Sequence, residues 1–276
     1  MDLSIQDFIQ LRDLIYDRTG IHFGENKIYY VKKRLQKRMG MGGFDSVEAY
    51  LKHLKWFDRE SQEFQQLVNL LTVNETYFFR EFSQLQVFGE ACLQQVTRRK
   101  LEMGVPTLKI FCAGCSTGEE AYTLAIILLE MLEGISPKQT IIKAVDIDEN
   151  VLAAARQGIY DRRSVKDVPP LYLERYFTSP APGQYMVNPE VREMVVFEHL
   201  NLMDHRALRY ENNYDFIFCR NVLIYFDDLS RKKVVDRFYT MLNQGGFIFL
   251  GHAESLSRMS TAYKIRKMHG QIVYQA

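Results

Sequence analysis

Ile110-Phe-Cys-Ala-Gly-Cys-Ser-Thr-Gly-Glu-Glu-Ala-Tyr122 runs an apolar segment into a loop of small residues that opens an apolar helix. Glycine serves where backbone must turn sharply or approach a ligand closely, and the free N–H groups of a helix's first turn can face polar ligand atoms. The stretch therefore reads as a strand, a ligand loop and a helix. The pyrophosphate fingerprint G-x-G-x-x-G is absent, and Glu119 and Glu120 stand where phosphate would be repelled. A partly cationic ligand without phosphates fits better. S-adenosylmethionine, which carries a sulfonium, has that character.

Cys112 and Cys115 enclose two residues, a spacing shared with redox pairs and half zinc sites. Cys92 and Cys219 are isolated and the six histidines lack ligand spacing, so the pair reads as small buried hydrophobes and no metal is expected. Four unpatterned cysteines also argue against a secreted disulfide framework. A chain of 276 residues allows a catalytic domain plus a smaller one, and a net charge of +1 gives no reason to expect nucleic acid. The start, Met1-Asp-Leu-Ser-Ile-Gln-Asp7, lacks the basic-then-apolar order of a secretion signal, and no apolar run approaches a membrane span. The expectation is a cytoplasmic protein that is not membrane-embedded.

Gly104 and Pro106 separate a helical first part from a strand-rich second part. The expected division is a helical domain at 1–90, a linker at 91–106 and a ligand-binding domain at 107–276. In the first part, Phe8, Leu11, Leu14 and Ile15 follow Ser4 at helical spacing and Gly20 stops the run. In the second, apolar runs alternate with helical patterns, which predicts a doubly wound, mostly parallel sheet with helices on both faces. The proline-rich stretch at about 160–193 is too long for a simple connection and predicts an inserted β-subdomain. Two short strands around His269-Gly270 predict a closing antiparallel hairpin.

A carboxylate just past the second strand can accept both hydroxyls of a ribose, and Ile141-Ile-Lys-Ala-Val-Asp146 supplies one. Asp148 suits the capping of the next helix, which leaves Asp146 for the ligand. An acid here also occurs in nicotinamide-binding folds. Strand Tyr214–Cys219 delivers Arg220-Asn-Val-Leu-Ile-Tyr225 to the same sheet edge. Methyl transfer from a sulfonium needs alignment more than acid–base help, and a glutamate nucleophile, with pKa of about 4.3, is already ionised at neutral pH. Arg220 could hold such a carboxylate by charge-assisted hydrogen bonds. Tyr225 and Phe226 could instead pack under the next helix, Phe226 more readily than Tyr225.

Several motifs resemble, in order, those of the chemotaxis receptor methyltransferase (CheR) family. They are Leu71-Thr-Val-Asn-Glu-Thr-Tyr-Phe-Phe-Arg-Glu81, Cys115-Ser-Thr-Gly-Glu-Glu-Ala-Tyr122, Ala144-Val-Asp-Ile-Asp148, Phe218-Cys-Arg-Asn-Val-Leu-Ile-Tyr-Phe-Asp227 and Gly251-His-Ala-Glu254. The resemblance implies a class I S-adenosylmethionine-dependent methyltransferase fold. It implies methyl transfer to glutamates on the cytoplasmic helices of chemoreceptors, with S-adenosylhomocysteine as product. By resemblance Asn74, Thr76 and Arg80 reach the cofactor from the segment joining the domains, beside Gly114 and Glu119 of the glycine loop. Asp146 holds the ribose, while Asn201, Leu202, Asn221 and Val222 border adenine and the methionine part. Arg80, Arg220 and Tyr225 are the expected catalytic residues.

In Lys27–Met39, the residues Ile28, Val31, Leu35 and Met39 form one apolar helical stripe, and Lys33, Arg34 and Lys37 point roughly opposite it. No acid occurs between Asn26 and Phe44. Such a face is ordinarily just solvated, but acidic receptor helices make it a docking candidate. Some family members grip a receptor's C-terminal peptide with the inserted subdomain; here the insertion looks compact, and recognition without that peptide is expected. The alternatives weighed are a nicotinamide-dependent oxidoreductase, a nucleic-acid methyltransferase, for which Asn221-Val-Leu-Ile lacks the amine site, and a catalytically silent S-adenosylmethionine-binding module.

Overall fold

The computed structural model describes residues 3–256 and 259–276. Ten strands are present among them: β1 Leu108–Ala113, β2 Thr140–Asp146, β3 Ile159–Asp161, β4 Phe177–Thr178, β5 Gln184–Val187, β6 Val195–His199, β7 Tyr214–Cys219, β8 Leu242–Leu250, β9 Lys264–Met268 and β10 Gln271–Gln275. Seven form one sheet in the order β6-β2-β1-β7-β8-β10-β9. Pairing is parallel from β6 through β8, then antiparallel at β10 and β9. The doubly wound sheet and its closing hairpin are as the alternation predicts. His269 (φ 47°) and Gly270 (φ 79°) both take left-handed backbone in the two-residue turn, the conformation that matches strand twist in tight hairpins.

Central strands read as unbroken apolar runs because both faces are buried. Ile110 and Cys112 of β1, with Phe216 and Phe218 of β7, enter one core, while Phe111, Ala113, Ile217 and Cys219 enter the other. Phe88 stands edge-on to Phe216, Phe218 and Phe249 at centroid distances of 5.0, 5.1 and 5.8 Å. The helical stretch 82–102 therefore lies on the sheet. The chain winds outward from β1 through β2 to β6, then returns to β7 on the other side. That reversal leaves a crevice at the carboxyl ends of β1 and β7, where open α/β sheets take ligands.

The N-terminal helices Ile5–Thr19, Ile28–Gly42, Val47–Lys52 and Gln62–Leu71 enclose a separate core that includes Phe8, Leu11, Val31, Leu35, Tyr50 and Leu67. Ser4 caps the first helix by accepting from Asp7 N–H, and Gly20 (φ 72°) ends it in left-handed conformation, as the stop signal predicts. The next residues cross to the sheet domain: Ile21 bridges Phe226, and His22 N–H donates to the Tyr225 carbonyl at 2.9 Å. The inserted β-subdomain is a three-stranded sheet, β3-β5-β4. It grips the segment joining the domains, with Phe78 edge-on to Tyr160 at 4.8 Å and Phe177 at 5.1 Å.

Candidate active site

A cavity of about 520 Å³ opens at the carboxyl ends of β1, β2 and β7, a size usual for cofactor sites. Three parts of the chain wall it: residues near the end of the first helix together with Lys27 and Tyr30, the joining segment from Leu71 to Arg80, and the loops after the strands. Asn74, Thr76, Arg80, Gly114, Asp146, Asn201, Leu202, Arg220, Asn221, Val222 and Tyr225 all line it. Glu119 does not.

Asp146 ends β2 almost fully buried. Its Oδ2 accepts from Ser116 N–H at 2.8 Å and its Oδ1 from Asp148 N–H at 2.9 Å. Burial pushes its carboxyl pKa up, against those two donors. A carboxylate offers about four acceptor positions, so capacity is left beyond these donors. Asp148 caps the helix Glu149–Gln157 as expected, accepting from Asn150 N–H with Oδ1. Its Oδ2 also accepts from the Thr72 hydroxyl at 2.7 Å and the Asn74 amide at 2.8 Å. Asn74 is thus partly an anchor for the joining segment.

Gly114 has φ 71°, and a Cβ on it would lie 2.3 Å from Cγ2 of Val222. Only glycine allows the two loops to meet. Cys112 and Cys115 are free thiols, raised well above the usual pKa by burial, which fits the packing role. Glu119 and Glu120 open the helix Glu119–Met131, so their side chains diverge by about 100°. Glu119 turns from the cavity, accepts from the Thr117 hydroxyl at 2.6 Å, and is pushed up in pKa by burial. It is Glu120 that reaches the wall and takes Arg220 at 2.8 Å. The structure therefore moves the loop's acid at the cavity from Glu119 to Glu120.

Arg220 differs most from expectation. Its side chain is 2% exposed and pairs with Glu120 at 2.8 Å and Glu81 at 3.1 Å, while Nη2 also donates to the Arg80 carbonyl at 2.5 Å. The guanidinium is committed to the protein's own acids and is not an open clamp for a substrate carboxylate. Its Nε–H alone has no partner among the described residues.

Arg80 is less committed: Nη1 donates to the Glu75 carbonyl at 2.8 Å and the guanidinium lies beside Tyr225. Tyr225 donates to the Val73 carbonyl at 3.4 Å, and burial raises its phenol pKa, with the Arg80 charge opposing. Phe226 is a core residue, 7% exposed. Asn201 spends its side chain on backbone, donating to the Arg18 carbonyl at 2.6 Å and accepting from Met203 N–H at 2.9 Å. Any border it gives a ligand comes from its position.

Four non-glycine residues around the cavity and its Arg220 brace, Phe79, Glu81, Ser116 and Asn221, have φ between 50° and 60°. Left-handed backbone of this kind concentrates where function needs a fixed geometry. Sequence reasoning left out Glu81, Glu120 and Tyr30. The 100° turn between adjacent helical residues could have found Glu120, but nothing local marks Glu81 or Tyr30.

These residues fit S-adenosylmethionine. Asp146 has acceptor capacity left for a diol, and Gly114 allows close backbone approach.

The sequence model described as "CheR methyltransferase, SAM binding domain" matches residues 74–272, and "CheR methyltransferase, all-alpha domain" matches 6–72. Chemotaxis protein methyltransferase 2 of Vibrio cholerae is 40% identical over 268 residues, covering 97% of this chain and 92% of that protein. The chemotaxis protein methyltransferases of Salmonella typhimurium and Escherichia coli are 36% and 35% identical over 275 residues, covering 99% of this chain and 90% and 91% of those proteins. With both models and relatives of this identity spanning nearly its whole length, the chain belongs to the CheR methyltransferase family.

Proposed function

We propose that the chain methylates glutamate side chains on the cytoplasmic helices of methyl-accepting chemotaxis receptors, using S-adenosylmethionine and releasing S-adenosylhomocysteine. The observation that carries this reading is the cavity at the sheet's switch point, where a buried Asp146 with spare acceptor positions faces a glycine loop without phosphate chemistry. When bound, the donor supplies a sulfonium methyl for in-line displacement by a carboxylate oxygen. Asp146 would hold the ribose, Arg220 would brace the wall through Glu120 and Glu81, and Asn74, Thr76, Asn221 and Val222 would form the walls between. Arg80 and Tyr225 stand at the mouth, and they orient the incoming glutamate there. The acceptor arrives ionised, so the wall need supply no base.

In this reading the helices up to residue 71 dock and the segment 71–81 connects; the stretch 82–106, expected in part to be a linker, lies on the sheet and belongs with 107–276 in catalysis, while the insertion near 160–193 buttresses the joining segment and takes no receptor peptide. Among the described residues no helix is long and apolar enough to cross a membrane. The protein would act from the cytoplasm, recruited to receptor arrays. Incubation with radiolabelled donor and receptor-bearing membranes should give base-labile label on receptor. Tight S-adenosylhomocysteine binding with no label would favour the silent module instead.

Asp146→Ala should weaken S-adenosylhomocysteine binding roughly ten- to a hundredfold, from about 1.5–3 kcal/mol of charged hydrogen bonding. Unchanged affinity in calorimetry would count against its ribose role. Burial raises the Asp146 pKa, so the ionised form that accepts from the ribose is lost as pH falls through that raised value, and affinity should fall with it.

Lys33 and Lys37 are exposed on the helix Ile28–Gly42, but the guanidinium of Arg34 lies 3.3 Å over the ring of Tyr30, which lines the cavity. Reversing Lys33 and Lys37 to Glu should cut receptor methylation about tenfold at low salt, with cofactor affinity unchanged. Adding Arg34→Glu should lower cofactor affinity as well. Should the first pair alone lower both, docking and cofactor binding are not separable on this face.

A further inference from the structure

Glu254 is not part of the cavity wall, yet three backbone amides from two loops converge on its side chain. Oε2 accepts from Asn221 N–H at 2.9 Å and Gly251 N–H at 2.7 Å, and Oε1 accepts from Ile224 N–H at 3.2 Å. The loops belong to the ends of β7 and β8. Their approach is so close that a Cβ on Gly251 would lie 2.8 Å from the Asn221 nitrogen and 2.9 Å from Glu254 Oε2. Asn221 sits at φ 60°.

We propose that Glu254 is a positioning residue for methyl transfer: its carboxylate locks the Asn221–Tyr225 turn against the Gly251 turn. The turn carries two groups that matter at the cavity. Val222 packs on Gly114, and Tyr225 stands at the mouth with its hydroxyl on the Val73 carbonyl. Only a carboxylate suits the task, because both its oxygens accept and neither donates. Glutamine keeps the size but must turn an amide N–H₂ toward one of the three N–H donors. Those amides would otherwise be orphaned in a partly buried place, which loops rarely tolerate.

The locked turn borders the reacting end, while Asp146 holds the far end of the cavity. Loosening the turn should therefore misplace the reacting groups more than it weakens the cofactor. The inference rests on the methyl-transfer reading, so wild-type protein is measured beside each variant with labelled donor and receptor-bearing membranes. For Glu254→Gln we expect kcat at least about tenfold lower, with S-adenosylhomocysteine affinity falling clearly less than kcat and the melting temperature lower by only about a few degrees. A general packing role would move stability, affinity and kcat together, and that result would overturn the proposal. So would a kcat within about twofold of wild type.

Glu254→Asp keeps the charge on a shorter arm and should retain more activity than Glu254→Gln; equal loss would tell against the carboxylate. Independently of turnover, hydrogen exchange on wild-type protein should show slow amides at Asn221 and Ile224. Fast exchange at both would overturn the clamp even if receptor labelling failed for other reasons.

Discussion

Arg220→Ala is expected to lower the melting temperature by roughly 6–15 °C, corresponding to about 3–5 kcal/mol for removing one partner of a buried ionic cluster. The charge sits between Glu120 and Glu81 with its side chain 2% exposed, and the two acids are themselves only 15% and 14% exposed, so both carboxylates stay largely out of water once the guanidinium is gone. Two effects compete in the outcome. Lost attraction is modest, because the native cluster already carries a desolvation cost; the larger part is the penalty of two carboxylates left buried without a cation. Adding Glu120→Gln and Glu81→Gln to Arg220→Met should therefore restore much of the stability. If stability instead fell further with each added change, the ion-pair account would fail. Arg220→Lys keeps the charge but loses the planar fork that reaches both acids and the Arg80 carbonyl, so partial rescue is expected. A substrate clamp would behave differently: acceptor KM would rise with the melting temperature unmoved.

The contrast shows where sequence stops informing. The place of Asp146 and the cap of Asp148 were legible because both are local, a strand end followed two residues later by a helix cap. The sheet was legible because burial on both faces writes unbroken apolar runs, and the hairpin because His269-Gly270 can take left-handed backbone. Arg220 was visible as a polar residue at a strand end, but its partners are 100 and 139 positions away. One of those partners, Glu81, is aimed by a left-handed backbone that no propensity foretells. Glu119 and Glu120 show a finer failure: the motif holds both, and only the helix's rotation decides which meets the cavity. Tyr30 reaches the wall because two domains pack together, a contact with no signature in either segment.

Gly114→Ala should reduce S-adenosylhomocysteine affinity at least about a hundredfold, or about 2.7 kcal/mol, without unfolding the sheet. Two costs add at this residue. An alanine at φ 71° incurs roughly 1–2 kcal/mol for left-handed backbone. Its Cβ also meets Val222, with Cγ2 at 2.3 Å, Cγ1 at 3.3 Å and Cβ at 3.4 Å. Turning the valine about χ1 only exchanges one methyl for the other, so the whole 221–226 turn must retreat. Gly183 separates the two costs, for it has φ 76° with nothing within 4 Å of an added Cβ. Gly183→Ala should lose about 1–2 kcal/mol of stability at most and leave cofactor affinity alone. In the double variant Gly114→Ala with Val222→Ala the clash is relieved while the backbone cost stays. Affinity should then recover by about tenfold or more. If the double variant were as weak as Gly114→Ala, the contact between loops would not be what sets the cavity's shape, and the backbone conformation alone would explain the glycine.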